Sequence, residues 1–405
     1  MHTAAQSQAR LAHVDALRGF ALFGILVVNS QMIASPYYAH GLADPAFSGA
    51  LDLAARWAVA FVFEAKFYLL FSFLFGYSFT LQMAAAERSQ AAFAPRMRRR
   101  LAGLAVLGLA HALLFYPGDI LLAYALLGLL LLAWRGLDPS RALRRALWIG
   151  GAAATAWLLL GLFALWAPWG AADDAPFVAD AQGAIAAYGG GLRQTLLRNA
   201  QDWAGSVAWQ LMLVQGPFVV AMFLVGHALG TRQALADPWR GPGRLRKWLG
   251  IALLPGLAGA FFYAGSGQPA SDASWKVLGF AVGLLTAPLL SLAYACAFLL
   301  AWRTGPGQRM GAWLVPAGRM ALSNYLLQSL LCALVFTGWG LGLAGAVPPP
   351  AVLGLALAIF AVQMPLSAWW LRGHAHGPIE WLLRALTLAT WPHWRRPAGD
   401  EGARI

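Results

Sequence analysis

The stretch "DALRGFALFGILVVN" (residues 15–29) decides the fold class. An acid and an arginine, three residues apart, are followed by ten residues without a polar side chain and then by an asparagine. Ten helical residues rise about 15 Å, half of a bilayer core of about 30 Å. The run therefore enters a membrane from a charged edge and sets an amide near the midplane. Apolar runs of this kind recur through all 405 residues, of which 60% are hydrophobic and 11% charged. Soluble chains carry about a quarter charged residues. A transmembrane β-barrel would show alternating apolar and polar residues in segments of about ten, and these runs are continuous. The chain reads as all-α, a polytopic helical membrane protein.

Ten spans are expected, at 19–36, 57–80, 101–117, 119–134, 146–167, 206–230, 248–265, 276–301, 320–338 and 351–371. With the N-terminus in the cytoplasm, one side holds 24 of the 29 Lys and Arg residues. They lie before residue 19, in 80–100, 135–145, 231–247 and 302–319, and in the C-terminal tail. This is the positive-inside pattern. The net charge of +13 thus reports topology and anionic lipid headgroups rather than nucleic acid. An even number of spans places both termini in the cytoplasm. Cys296 and Cys332 fall inside spans and read as small packing residues, not a disulfide.

Four regions follow: N-terminal transmembrane helices (1–167), an outer-side loop (168–205), a C-terminal transmembrane region (206–391) and a cytoplasmic tail (392–405). The loop should contain one or two short helices lying on the membrane. The segment 377–391 places Glu380 and Arg384 on one face and reads as an interfacial amphipathic helix. "YPGD" (116–119) turns one span back against the next.

Polar side chains at membrane depth are costly, so each invites a functional reading. Asn29, His111, the pair Glu64 and Lys66, and the pair Asn324 and Gln328 all come to a depth of about 10 to 15 Å on four spans. Asn324 and Gln328 share one helix face. Asp15, Arg18 and Arg319 form a second layer near the cytoplasmic edge. Each has a plainer alternative. Asn29, Asn324 and Gln328 serve equally as interhelical hydrogen-bonding groups, and Lys66 as half of an ion pair. His111 serves as a neutral buried histidine, Asp119 as a helix cap, and Asp15 with Arg18 as a topology anchor. Convergence at one depth favours a cavity. His374 and His376 lack the further ligands that a metal site needs, so no metal is expected. His227 caps a helix, and "GWGLGLAG" (338–345) is a flexible loop.

Five stretches, "LRGFALFGILVVN" (17–29), "KFYLLFSFLFGYSF" (66–79), "LGLAHALLFYPGDILLAYALLGL" (107–129), "GRMALSNYLLQSLLC" (318–332) and "GPIEWLLRALT" (377–387), resemble the YeiB-like family of bacterial inner-membrane proteins. Through its D-x-x-R-G opening the chain is also similar to transmembrane acyltransferases. These are the acyltransferase-3 proteins that modify cell-surface sugars and the lysosomal heparan-α-glucosaminide N-acetyltransferase. The resemblance implies an inner-membrane enzyme that passes an acyl group from cytoplasmic acyl-CoA to a small-molecule or glycan acceptor on the other side. Asp15, Arg18 and Gly19 fit the shared opening. The acyltransferase-3 histidine, eleven residues after the arginine, is replaced here by Asn29. The position of the heparan enzyme's histidine falls on His40.

Acyl transfer needs a general base and an oxyanion stabiliser. The expected base is His111, with His40 as second choice and Asp119 orienting the imidazole if the turn permits. Asn29 and Gln328 would position the acceptor or the oxyanion, with Glu64, Lys66 and Asn324 beside them. Arg18 and Arg319 would hold CoA phosphates. The competing class is a transporter or a membrane protein that binds lipids or small molecules without catalysis. Midplane polar residues on several helices suit it too.

Overall fold

The computed structural model describes residues 11–166, 174–238, 241–268 and 271–395. Residues 1–10, the start of the expected outer-side loop (167–173) and the last ten residues of the expected tail (396–405) lie outside the described residues. Helices make up nearly all of the rest, and the described residues contain no strand. The chain is an all-α polytopic membrane protein.

The opening stretch lies in α1 (Ala12–Ala34). The single-turn α2 (Pro36–Ala39) follows, capped by the Ser35 hydroxyl, which accepts from the Tyr38 N–H. α3 (Ala50–Val62) and α4 (Lys66–Arg88) occupy what the sequence presents as one span. They are separated at 63–65, where Ala65 takes a left-handed φ of 65°. A broken helix in a membrane leaves carbonyls that must find donors. Here Lys66 Nζ donates to Ala60 O at 2.6 Å, Tyr294 OH to Val62 O at 3.0 Å and Ser291 Oγ to Lys66 O at 2.6 Å.

α5 (Phe93–Leu114) and α6 (Leu121–Ala133) form an antiparallel hairpin. α7 (Pro139–Trp166) leads to α8 (Ala175–Tyr188) and α9 (Leu192–Asp202), the two short helices expected on the outer side. Two π-helical stretches, Trp203–Val207 and Gln210–Gln215, run into α10 (Gly216–Thr231). α11 (Pro242–Ser266) and α12 (Ala273–Trp302) pack along each other. α13 (Gly305–Arg319) bends by 81° into α14 (Ala321–Phe336). α15 (Pro349–Gly373) and the amphipathic α16 (Pro378–Leu388) complete the bundle.

Every expected span falls on helical segments, with 57–80 divided between α3 and α4, but length and apolarity are unevenly shared. Seven helical stretches are long and apolar enough to cross a membrane, and an eighth if the bent α13–α14 pair is one span. α6, with 13 residues, is about 20 Å long, and α5 begins with Arg96, Arg98, Arg99 and Arg100. Most of residues 302–319, read from sequence as basic sequence on the cytoplasmic side, form α13, which packs against α1. Gly318 permits this, since a methyl there would overlap Asp15 O, and one on Gly19 would sit 2.5 Å from Leu314 O. Such small-residue crossings drive helix association in lipid, where burial of apolar surface adds little.

Large apolar side chains point outward around the bundle. Leu147, Trp148, Leu254 and Phe261 are each more than 60% exposed. Apolar surface of that extent is expected only against lipid. The polar groups at depth are turned inward.

Candidate functional site

α5 carries His111 in its last turn, and the reversal at 115–120 brings Asp119 back beside it. His111 Nδ1 and Asp119 Oδ1 are 2.9 Å apart, with both side chains fully buried. The other carboxylate oxygen, Oδ2, accepts from the Leu122 N–H at 2.8 Å. Asp119 is therefore both a cap for the start of α6 and the partner of His111. Gly108 makes room for it, since a methyl there would lie 2.6 Å from Oδ2. A carboxylate on Nδ1 selects the tautomer with its proton on that nitrogen and leaves the Nε2 lone pair available. Nε2 is buried without a hydrogen-bond partner.

α14 closes the other side. The Tyr325 ring lies 4.9 Å from the imidazole, and Gln328 follows one turn later. Gln328 Oε1 is also buried without a partner, and the buried Tyr325 hydroxyl faces the Ile120 backbone. His111 Nε2 on α5 and Gln328 Oε1 on α14 are thus buried polar atoms without partners. Oriented base and free acceptor atoms suit proton transfer from a hydroxyl or amine.

The remaining sequence candidates divide between this place and others. Asn29 is half-buried on α1, eleven residues from Arg18 and so on the same face. Asn324 is turned toward α15 and donates to Ser367 Oγ at 2.9 Å and to Ala317 O at 3.2 Å. Gln328 Nε2 donates to Gln363 Oε1 at 2.8 Å, and Gln363 Nε2 to Asn324 O at 3.1 Å. This amide ladder joins α14 to α15, the interhelical role. Its α15 members were legible in the sequence as polar residues inside an apolar span, but nothing identified their partners.

Glu64 and Lys66 form a second cluster at the α3–α4 break. The Glu64 carboxylate accepts from the hydroxyls of Tyr38 and Tyr263, and Lys66 Nζ lies 5.5 Å from the Tyr263 ring centroid. A cavity of about 20 Å³ lined by Glu64, Lys66, Tyr263 and Thr286 adjoins them. That is room for about one water molecule.

His40 stands apart, at the end of the bundle that carries α8 and α9. Its Nε2 is 3.0 Å from Asp180 Oδ2, which also accepts from Arg198 Nη2 at 2.6 Å. That Arg198 hydrogen bond is the main cause holding the Asp180 carboxyl below its ordinary value. α9 also reaches the His111 helix, where Asn199 Nδ2 donates to Leu113 O at 3.1 Å.

At the opposite end, Arg18 donates to Asp15 Oδ1 at 2.6 Å and to Ser78 Oγ at 3.0 Å. Arg319 ends α13 at the bend. Arg100, counted from sequence only as basic flanking charge, lies within electrostatic range of Arg18 and Arg384. His374 stacks on Trp370 at 4.1 Å.

Residues 229–390 match the family model described as "Protein of unknown function (DUF418)". The chain is 32% identical to the uncharacterized protein YxaH of Bacillus subtilis (strain 168), over 94% of this chain and 95% of that one. It is 30% identical to the uncharacterized protein YeiB of Escherichia coli (strain K12), over 93% and 95%. No solved structure matches.

Proposed function

We propose, on the premise that this chain belongs to the YeiB-like family of uncharacterised membrane proteins, that it is an inner-membrane acyltransferase. The donor is acyl-CoA on the arginine-rich, cytoplasmic side, and the acceptor is a hydroxyl or amine on the other. The observation that carries this reading is the buried His111–Asp119 pair, with Nδ1 occupied by a carboxylate and Nε2 free.

The step balances without a further reactant. The acceptor oxygen or nitrogen attacks the thioester carbonyl while His111 Nε2 takes its proton. The carbon–sulfur bond then breaks, and the leaving thiolate recovers that proton from the imidazolium. Asp119 keeps the ring oriented and stabilises its charge. Tyr325 supplies a hydroxyl that can donate to the oxyanion, and Gln328 Oε1 an acceptor for the attacking group. Arg18 and Arg319 are the sequence candidates for the CoA phosphates. Arg18 is largely neutralised by Asp15, so further positive charge is needed there.

The broken helix at Glu64 and Lys66 supports a second reading, a transporter whose midplane site is built on a discontinuous span. The test that separates them uses purified protein in liposomes, acetyl-CoA on the arginine-rich side and a bacterial envelope extract as acceptor. Release of free CoA thiol is followed. Catalysis by His111 requires that His111→Ala lower the rate by about 10²- to 10⁴-fold. Equal release by wild type and variant would remove the assignment, and movement of a solute without thiol release would favour transport.

A further inference from the structure

Arginines from three helices converge at the basic end of the bundle. Arg18 is on α1, Arg100 on α5 and Arg384 on α16, and Arg100 lies within electrostatic range of the other two. Packing holds them there. Leu383 and Leu386 of α16 lie over Gly103 of α5, and the Arg99 guanidinium donates to Thr387 O at 3.1 Å. Arg18 is braced against α4 through Ser78.

Two carboxylates are near, and both are engaged. Asp15 takes the Arg18 Nη1 hydrogen bond at 2.6 Å. Glu380 accepts from the Leu322 and Ser323 N–H groups at 2.7 and 3.1 Å and from the Ser323 hydroxyl, capping the start of α14. Burial also pushes the Glu380 carboxyl above its ordinary value, and its charge acts on Arg100 alongside those of the two arginines. Arg100 Nε is buried without a partner, and Arg18 and Arg384 bring further positive charge within its range. Like charges held together repel. A phosphate among them removes the repulsion and offers paired oxygens to planar guanidinium forks.

We propose that Arg18, Arg100 and Arg384 form a binding site for a phosphate-bearing anion, with Arg100 at its centre. Two sources share that chemistry: the phosphates of CoA and the headgroup of an anionic phospholipid. Only the first rests on the acyltransferase reading.

The test uses the purified full-length chain in phosphatidylcholine nanodiscs. One arm titrates CoA and adenosine 3′,5′-bisphosphate. The other adds phosphatidylglycerol and counts the lipid retained by native mass spectrometry. At least one probe binds wild type, and Arg100→Gln weakens it by about tenfold or more, the value of a charged hydrogen bond. Arg100→Lys keeps the charge but loses the fork and falls between. Arg384→Gln, at an exposed position, gives a parallel loss without threatening the fold. Loss in the first arm identifies the nucleotide phosphates, and loss in the second the lipid. Failure of both probes to bind wild type, or wild-type binding by both Gln variants, overturns the site. Phosphate binding without thioester turnover would end the catalytic reading and leave the site. Turnover with an unchanged KM for acyl-CoA in both Gln variants would exclude CoA as the occupant and leave only the lipid headgroup.

Discussion

His111 with Asp119 and His40 with Asp180 are the same two functional groups at almost the same separation, 2.9 and 3.0 Å, in opposite surroundings. The first pair has no exposed surface, whereas the His40 and Asp180 side chains are 29% and 44% exposed. Asp119 divides its oxygens between the imidazole and one backbone amide. Asp180 gives the oxygen that meets His40 to a guanidinium as well. Distance alone therefore does not make a base. Asp180 shares that oxygen with Arg198, itself divided between Asp180 and Asp202, and water competes at these exposed groups, so less of its charge is directed at the imidazole. The buried pair retains its full electrostatic effect.

The largest expected effect follows from this contrast. If His111 is the base, His111→Ala lowers acyl-CoA turnover by about 10²- to 10⁴-fold, while His40→Ala leaves it near wild type. Measured side by side in liposomes, a larger loss at His40 would invert the comparison and move the chemistry to the outer end.

Asp119→Asn comes next. The amide can still cap α6 and contact Nδ1, but it can present its NH₂ to that nitrogen. The imidazole then carries its proton on Nε2 and no longer serves as base. The rate falls while the fold survives, at a cost in stability of about 1 to 3 kcal/mol for a disturbed buried hydrogen bond. A cycle with His111→Ala is expected to be strongly non-additive in rate, because each change disables the same proton transfer. Additive losses would mean that Asp119 acts only as a cap.

Much of this was legible in the sequence, and what was hidden shares a cause. The apolar runs announced the helices, and "YPGD" the reversal that returns Asp119 to His111. Part of the reversal at 115–120 lies between them, so only the turn's geometry decides whether they meet. The break at 63–65 was hidden because Ala65, not glycine, takes the left-handed conformation inside an apolar run. α13 was masked by its arginines and glycines, and Gly318 shows its role only once α1 lies against it. Tyr38 and Tyr263 join Glu64 across long stretches of chain. One sequence holds no sign of such pairings beyond the cost of leaving a carboxylate alone in lipid.

The smallest effect separates the two pairs by their response to acid and salt. Arg198 holds the Asp180 carboxyl low in the folded state. A depressed carboxylate contributes stability above its unfolded value of about 3.9 and loses it as pH falls through the folded value. Asp180→Asn should therefore lower the unfolding temperature by a constant amount between about pH 5 and 8, equivalent to about 0.2 to 1 kcal/mol for a surface ion pair. Below about pH 4 the difference from wild type should shrink. A His40→Gln background keeps imidazole titration out of the comparison. Near 1 M salt, where the Debye length is about 3 Å, the Asp180 effect should largely vanish. The Asp119→Asn effect, with no exposed surface, should persist. Intrinsic tryptophan fluorescence during thermal unfolding in detergent reads both. Equal salt sensitivity at the two positions would show that solvent reaches Asp119, and the buried pair would lose what distinguishes it from its exposed counterpart.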